Sequence, residues 1–413
     1  MLEVASQQGH WLGFDQFMLA ALTHPTEGYY SRSRGDGQPS GPFGPQGDFV
    51  TAPMLGPWLA MAISEAFQDL CRHADRQAPA WAQQGLSIRE FGPGDGSLAA
   101  DLLIDLAKAQ RLPVVYEFVE VSPSLAALQR KTIALRLEQA LGAAQASELI
   151  GRLNWLDQTQ PSPNRWAGLV VANEVADALP VKRFEWRGPD QSVVEWGLAW
   201  QDAGWTWSPR PAQPDLAQAV AARRQAYRQA RSDLPDWRPG HLGEWSPWLG
   251  PWARGLVEAL DWGQLLILDY GYERVELDHA DRSAGTLAGH LRHQRIDDPK
   301  AWIAEPGQMD LTAHVDFTAL AETMAATDGV DLRLSSQARW LLDQGVLDRA
   351  RSALFHLADP DALGQPPQDP ARLAALAGLQ TLLSDAAMGQ QFLVLTASKG
   401  FLADEDGPVP PPA

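Results

Sequence analysis

At 413 residues, 45% hydrophobic and 20% charged, the chain can bury a sizeable core and falls in the ordinary range of soluble proteins. Its net charge of -18 argues against a polyanionic partner, because neutralising phosphates takes clustered Lys and Arg; nucleic acid is not expected as a substrate. The single cysteine, Cys71, excludes an intrachain disulfide and a thiolate metal cage.

The N-terminus, MLEVASQQGHWLGF, has neither an apolar h-region behind a basic start nor an Arg-rich amphipathic pattern, and no run of 18 apolar residues could span a bilayer. A cytoplasmic location without membrane association is the expectation. Residues 14–22 (FDQFMLAAL) predict a helix behind an Asp15 cap. Residues 31–48 are dense in Gly and Pro and read as loop, with 35–47 a candidate lid. A second helix is expected from about Met54, with Leu55, Leu59, Ile63, Phe67 and Leu70 at helical spacing. Residues 1–85 thus read as a helical, loop-rich cap ahead of a sheet.

From Leu86 the pattern becomes strand, turn, helix, repeated, and residues 86–400 read as one domain. Strands are expected at Val114–Ser122, Gly168–Val175 and Gln264–Gly271, with two more near the C-terminus (DLRLSS and QQFLVLTAS). Near-continuous apolar strands alternating with helices predict an α/β fold with a mostly parallel sheet covered on both faces. A long insertion, about residues 185–250, holds a hairpin turning near Asp202 to Gly204 and an amphipathic helix after it. Residues 401–413 (ending GPVPPPA) read as a disordered tail.

The stretch REFGPGDGSL places Gly92, Gly94 and Gly96 between a strand and a helix. Such a turn lets a ligand approach bare backbone and offers it free N–H groups. The spacing is G-x-G-x-G rather than the dinucleotide G-x-G-x-x-G, and Asp95 inside the turn would repel a diphosphate. A nicotinamide cofactor is therefore disfavoured. S-adenosylmethionine has adenosine without phosphate, and its sulfonium and ammonium tolerate nearby acids. Glu90 would accept from its amino acid part, and Glu120, closing the next strand, would take the ribose hydroxyls. The alternative is a plain Gly-Pro turn without a ligand.

In VVANEVADALPV a buried strand runs into Asn173 and Glu174, with Asp177 one turn on, at the sheet end where ligands bind. Here Glu174 reads as functional; for Asn173 and Asp177, capping of loose backbone donors is the alternative.

With these blocks in hand, REFGPGDGSL, FVEVSPSL, LNWLDQ, ANEVADALPV, LILDYGYE, AGTLAGHLRHQRIDDP, EPGQMDLTAHVDF and MGQQFLVL resemble, in order, those of the MidA family of S-adenosylmethionine-dependent methyltransferases. FDQFMLAALTHPTEGYYS and GDFVTAP are similar to that family's opening blocks. The resemblance implies a class I methyltransferase fold, Rossmann-like, with a seven-stranded sheet. By position it puts Gly92, Gly94 and Gly96 at the methionine part of the cofactor and Glu120 at the ribose. Val121, Asn154 and Trp155 would lie along the adenine, and Gly47, Asp48, Thr51 and Pro53 in a block closing over it. Glu174 and Asp177 would face the substrate. Departures from the family pattern at Asp95, Ala176 and His290 fall near the substrate side. Because relatives in mitochondria methylate an arginine of a complex I subunit, the resemblance implies a protein arginine acceptor.

Two alternatives stay open: a small-molecule methyltransferase, and a non-catalytic assembly or scaffold protein that binds the cofactor for stability. Ten of the 17 tryptophans lie between Trp186 and Trp262 and are read mainly as packing for the insertion rather than as a cage for a guanidinium. The histidines His290, His293 and His314 match no compact ligand spacing, so no metal is assigned; DLTAHVDF is expected to open a helix capped by Asp310 or Thr312.

Overall fold

The computed structural model of the chain describes residues 11–31, 51–156, 166–188, 193–202, 204–355 and 369–401. Two compact units emerge, each assembled from separated segments. One takes Val50–Glu174, Gly255–Asp269 and Met324–Ala413; the other takes Met1–Phe49, Val175–Arg254 and Tyr270–Thr323.

The first unit is built on a sheet of β1 (Ser87–Phe91), β2 (Tyr116–Val119), β3 (Leu153–Trp155), β4 (Ala167–Asn173), β5 (Trp262–Tyr272), β6 (Val330–Ser336) and β7 (Phe392–Lys399). Their order is β3-β2-β1-β4-β5-β7-β6. The pairs β1–β2, β1–β4, β2–β3 and β4–β5 are parallel, and β6–β7 is antiparallel. This is the expected seven-stranded, mostly parallel sheet. The run AGLVVAN is buried almost throughout because β4 has strand neighbours on both sides and sits mid-sheet. A charged pair survives in this apolar setting because Arg89 on β1 stands in register with Glu117 on β2, and their side chains form an ion pair at 2.7 Å.

Around the sheet lie α1 (Trp58–Gln77), α2 (Ser97–Lys108) and α3 (Pro123–Leu141). Leu59, Ile63, Phe67 and Leu70 of α1 are buried as their spacing predicts, and each such side chain contributes about 1.5–3 kcal/mol by leaving water. The helix starts at Trp58 rather than near Met54, because Gly56 and Pro57 interrupt it; Ala52–Leu55 form a separate 3-10 turn. On α3 the Ser122 hydroxyl accepts from the Leu125 N–H, with Pro123 in the first turn. Its buried stripe is Leu125, Gln129, Ile133 and Leu137, one polar residue among three apolar ones.

In the second unit, strands Leu12–Gly13, Val194–Gln201, Lys182–Trp186 and His241–Trp245 form an antiparallel sheet in that order, and Gly204–Pro211 pairs with Val194–Gln201. The expected hairpin closes between Gln201 and Gly204, with Asp202 at φ 48°. Helix Pro214–Ala230 buries Leu216, Val220 and Tyr227 in a cluster with Phe184, Trp186 and Trp237. Helix Phe14–Thr23 corrects the expected cap: Asp15 lies inside the first turn, 3.8 Å from the Lys182 ammonium, and no side chain caps the helix.

These units differ from the expected division. The cap of residues 1–85 is split, since helix Phe14–Thr23 belongs to one unit and α1 to the other. The insertion of about 185–250 is only part of a unit that also draws in Tyr270–Thr323. The tail from residue 402 lies outside the described residues.

Candidate active site

β1 ends in the turn Gly92 to Gly96, where Gly92, Gly94 and Gly96 all have positive φ (58°, 56° and 87°). Only glycine adopts that region readily, and a Cβ at Gly96 would also stand 3.1 Å from the Gln129 Cα. The turn is pinned to β2 by the Gly92 N–H, which donates to the Val119 carbonyl at 3.1 Å. Asp95 has a use of its own: one carboxylate oxygen accepts from the Ser97 N–H and the other from the Ser97 hydroxyl, both at 2.9 Å. The donors that a helix start would offer a phosphate are thus partly taken by the chain's own carboxylate.

Three acids crowd this turn. Glu90 is buried, accepts from the Tyr116 hydroxyl at 2.8 Å, and is pushed up to about 7 by burial, with Asp95 and Glu120 adding to the push and Tyr116 opposing it. Glu120 accepts from the Ser122 N–H at 2.7 Å and from the Gln129 side-chain amide at 2.8 Å. Burial raises its carboxyl above the ordinary range, against those two hydrogen bonds. An acid-lined turn with bare backbone fits a cationic, phosphate-free nucleoside and fits a dinucleotide poorly.

Beside the acids, Trp155 at the end of β3 stacks on Phe118 (centroids 4.4 Å apart), carries the Arg130 guanidinium 3.6 Å over its ring, and donates from its indole N–H to Gln129 at 3.0 Å. Val121 is 59% exposed and Asn154 is exposed, both beside the strand ends that carry Glu120 and Trp155. Gln129 was missed in the sequence. The available signal was a polar residue within the i, i+4 apolar stripe of α3.

At the end of β4, Glu174 holds φ 54°, a left-handed conformation that costs a side-chain-bearing residue free energy and that clusters at functional positions. Its N–H donates to the Leu268 carbonyl of β5 at 2.8 Å. Its carboxylate accepts from the Ala52 N–H and the Asn173 amide, each at 3.2 Å. Thr51, buried, and Pro53 flank Ala52 in the 3-10 turn, so the opening block and Glu174 meet. Gly47 and Asp48 lie outside the described residues.

The second unit carries Asp177 in the 3-10 turn Ala176–Ala178. It is buried, pushed up to about 6 by burial, and hydrogen-bonded by Tyr270, while its backbone carbonyl accepts from the Ala313 N–H. Nearby, the Tyr30 hydroxyl donates to Asp310 at 2.9 Å; burial and the charges of Asp310 and Asp177 raise its pKa well above the ordinary range. Asp310 is therefore no helix cap: Asp310–Thr312 is a strand, and Asp316 caps helix Phe317–Ala325 by accepting from the Ala319 N–H at 2.8 Å. Tyr30 and Tyr270 were not singled out in the sequence, and Asp310 was read only as a helix cap, since nothing local marks the three as partners before the fold gathers them. His314 packs against the Tyr270 and Tyr272 rings, and burial lowers its pKa to about 4, so it is neutral at pH 7.

Residues 62–335 match the model of a family described as S-adenosyl-L-methionine-dependent methyltransferases. The chain belongs to that family. It is an α/β, class I enzyme that uses S-adenosylmethionine as methyl donor. Among relatives, the mitochondrial protein arginine methyltransferase NDUFAF7 of Danio rerio is 26% identical over 370 residues, covering 85% of this chain and 76% of the relative. The Drosophila melanogaster homologue of that protein is 28% identical over 348 residues, covering 76% and 66%. A crystal structure from Burkholderia thailandensis bound to S-adenosyl-homocysteine is 32% identical, with a TM-score of 0.77, covering 97% of this chain and 91% of the other. The expectation of a cytoplasmic protein is corrected by the named relatives from animals, which are mitochondrial. A low cysteine count fits any reducing compartment, so composition was a weak guide to this. No described helix is long and apolar enough to cross a membrane.

Proposed function

We propose that the enzyme transfers a methyl group to an arginine nitrogen of a protein, as the names of the NDUFAF7 relatives state for those proteins. The observation that carries the reading is Glu174, a carboxylate aimed by two donors from a backbone held at φ 54°. Such a preset acid can receive a guanidinium and stabilise its charge without reorganising. When bound, S-adenosylmethionine supplies an electrophilic methyl on its sulfonium. Holding the acceptor nitrogen in line is the main task left to the protein, and positioning of this kind is worth up to about 7–11 kcal/mol.

In this reading Glu174 and Asp177 bind the acceptor and Asn173 holds Glu174 in place. Gly92, Gly94 and Gly96 admit the methionine part of the cofactor, Glu90 faces its ammonium, and Glu120 takes the ribose hydroxyls. Val121, Asn154 and Trp155 border the adenine. Thr51 and Pro53 close over it. Asp177 is pushed up to about 6, so a cation would draw it fully into its charged form at pH 7.

The test uses methyl-labelled S-adenosylmethionine in a lysate of the source cell depleted of this protein, with wild type and Glu174→Gln in parallel. A discrete labelled protein band with wild type alone, labelled at arginine by mass spectrometry, is the expected result. Label confined to a low-mass product, or equal labelling by the variant, would overturn it.

A further inference from the structure

We propose that Gln129 is a positioning residue of the cofactor site, which orients Glu120 toward the ribose while holding the glycine turn and the adenine border in one network. Its amide donates to the Gly94 carbonyl at 2.9 Å and to the Glu120 carboxylate at 2.8 Å, and its oxygen accepts the Trp155 indole N–H at 3.0 Å. One buried side chain therefore joins the turn after β1, the end of β2 and the end of β3. Every polar atom of that amide is used, so no rotation or flip of it preserves all three bonds. A side chain kept only for packing would be apolar, as Leu125, Ile133 and Leu137 are in the same stripe. The inference rests on the assignment of Glu120 to the ribose.

With one oxygen occupied by Ser122 and the other touched by Gln129, Glu120 has a single defined orientation in which to receive hydroxyl donors. The Gln129 bond also favours the ionised form of this buried acid. Among the described residues, the charged and titratable groups bordering this network include Glu90 on β1, whose carboxyl feels both Glu120 and Asp95, and Arg130 beside Gln129 on α3, whose guanidinium lies on Trp155. Removing Gln129 takes a donor from Glu120 and leaves the others in place, so Glu120 ionises at higher pH.

The experiment is calorimetric titration of S-adenosylhomocysteine between pH 6 and pH 9 into wild type, Gln129→Leu, Glu120→Gln and the double variant. Gln129→Leu is expected to weaken binding about threefold at pH 9 and by more as the pH falls, since one hydrogen bond to a charged group is lost and Glu120 takes up its proton more readily without that donor. In the Glu120→Gln background the pH-dependent part should vanish. A loss that is equal at all pH values and in both backgrounds would mean a packing role and overturn the proposal. Unchanged binding by Glu120→Gln alone would instead overturn the ribose assignment, and the proposal with it. Gln129→Glu keeps the size and the acceptor for Trp155, so it carries the same test if Gln129→Leu does not fold; it should move the acid limb further up, by placing a second carboxyl against Glu120.

Discussion

Glu174 combines a strained backbone with a directed carboxylate, and the two can be separated by mutation. Glu174→Ala and Glu174→Gly both remove the acceptor of the Ala52 N–H and the Asn173 amide. They differ in the backbone, because alanine keeps a Cβ at φ 54° and glycine does not. Released strain is about 1–2 kcal/mol, and the added freedom of glycine in the unfolded chain opposes it by about 0.4–1 kcal/mol. Glu174→Gly should therefore be more stable than Glu174→Ala by about 0.5–1 kcal/mol in urea unfolding. Both variants should bind S-adenosylhomocysteine within about threefold of wild type, a difference of under 1 kcal/mol, and transfer no methyl. An alanine variant at least as stable as the glycine variant would refute the claim of strain; wild-type methyl transfer by either would refute the role of the carboxylate.

Glu90 carries a pH signature: its carboxyl is raised from an ordinary 4.5 to about 7, so the stability it lends the empty protein is fully present below about 4.5 and is lost as pH rises through about 7. Glu90→Gln should flatten that decline and stabilise the empty protein at pH 8 by up to about 3 kcal/mol, from about 1.4 kcal/mol per pH unit, read by thermal unfolding across pH; an unchanged profile would sink the idea. Glu120→Ala should raise the S-adenosylhomocysteine dissociation constant by about 10–100-fold in calorimetry, the loss of about 1.5–3 kcal/mol for bonds to a charged group, and an unaltered constant would remove it from the site. Gly96→Ala should cost about 1–3 kcal/mol in chemical denaturation, through positive φ and the contact with Gln129, and a neutral substitution would show that the turn is not fixed by Gly96.

The parts of this fold legible in the sequence are those with short-range patterns. Ser122-Pro123 marked the start of α3, the apolar run in AGLVVAN marked a buried strand, and the glycine spacing marked the turn. The gathering of Gly92, Gly94, Gly96, Glu90 and Glu120 at one turn could be read in the sequence because the candidate site there follows the chain closely, strand end by strand end. What failed was long-range or competed locally. The Asp15 cap failed because the preceding Leu12–Gly13 pairs with the distant Leu198 and Gly197, which fixes where the helix begins. Asp310 read as a cap because DLTAHVDF holds three cap-like residues, and only its pairing with Ala288–Leu291 decides for a strand. The Tyr30–Asp310 bond joins residues 280 positions apart, which no local pattern can announce.

The unit boundary is also a product of long-range pairing. β5 runs through Asp269 as part of the parallel sheet, yet its last residues, Gly271 and Tyr272, belong to the second unit, within which they pair with Val315 and Asp316. In the same way the chain leaves the first unit at Glu174 and enters the second at Val175. A strand that serves two units reads in sequence as one apolar run, so its division is invisible there. The left-handed turn of Glu174 stands at such a crossing, where the backbone must change direction directly after a buried strand. Glycine would make that turn at least cost, as it does at Gly92 and Gly94; a glutamate there, held by the Ala52 N–H and the Asn173 amide, spends stability on placing a carboxylate. Under the proposed function, that trade is the one a residue that binds the acceptor makes and a purely structural residue does not.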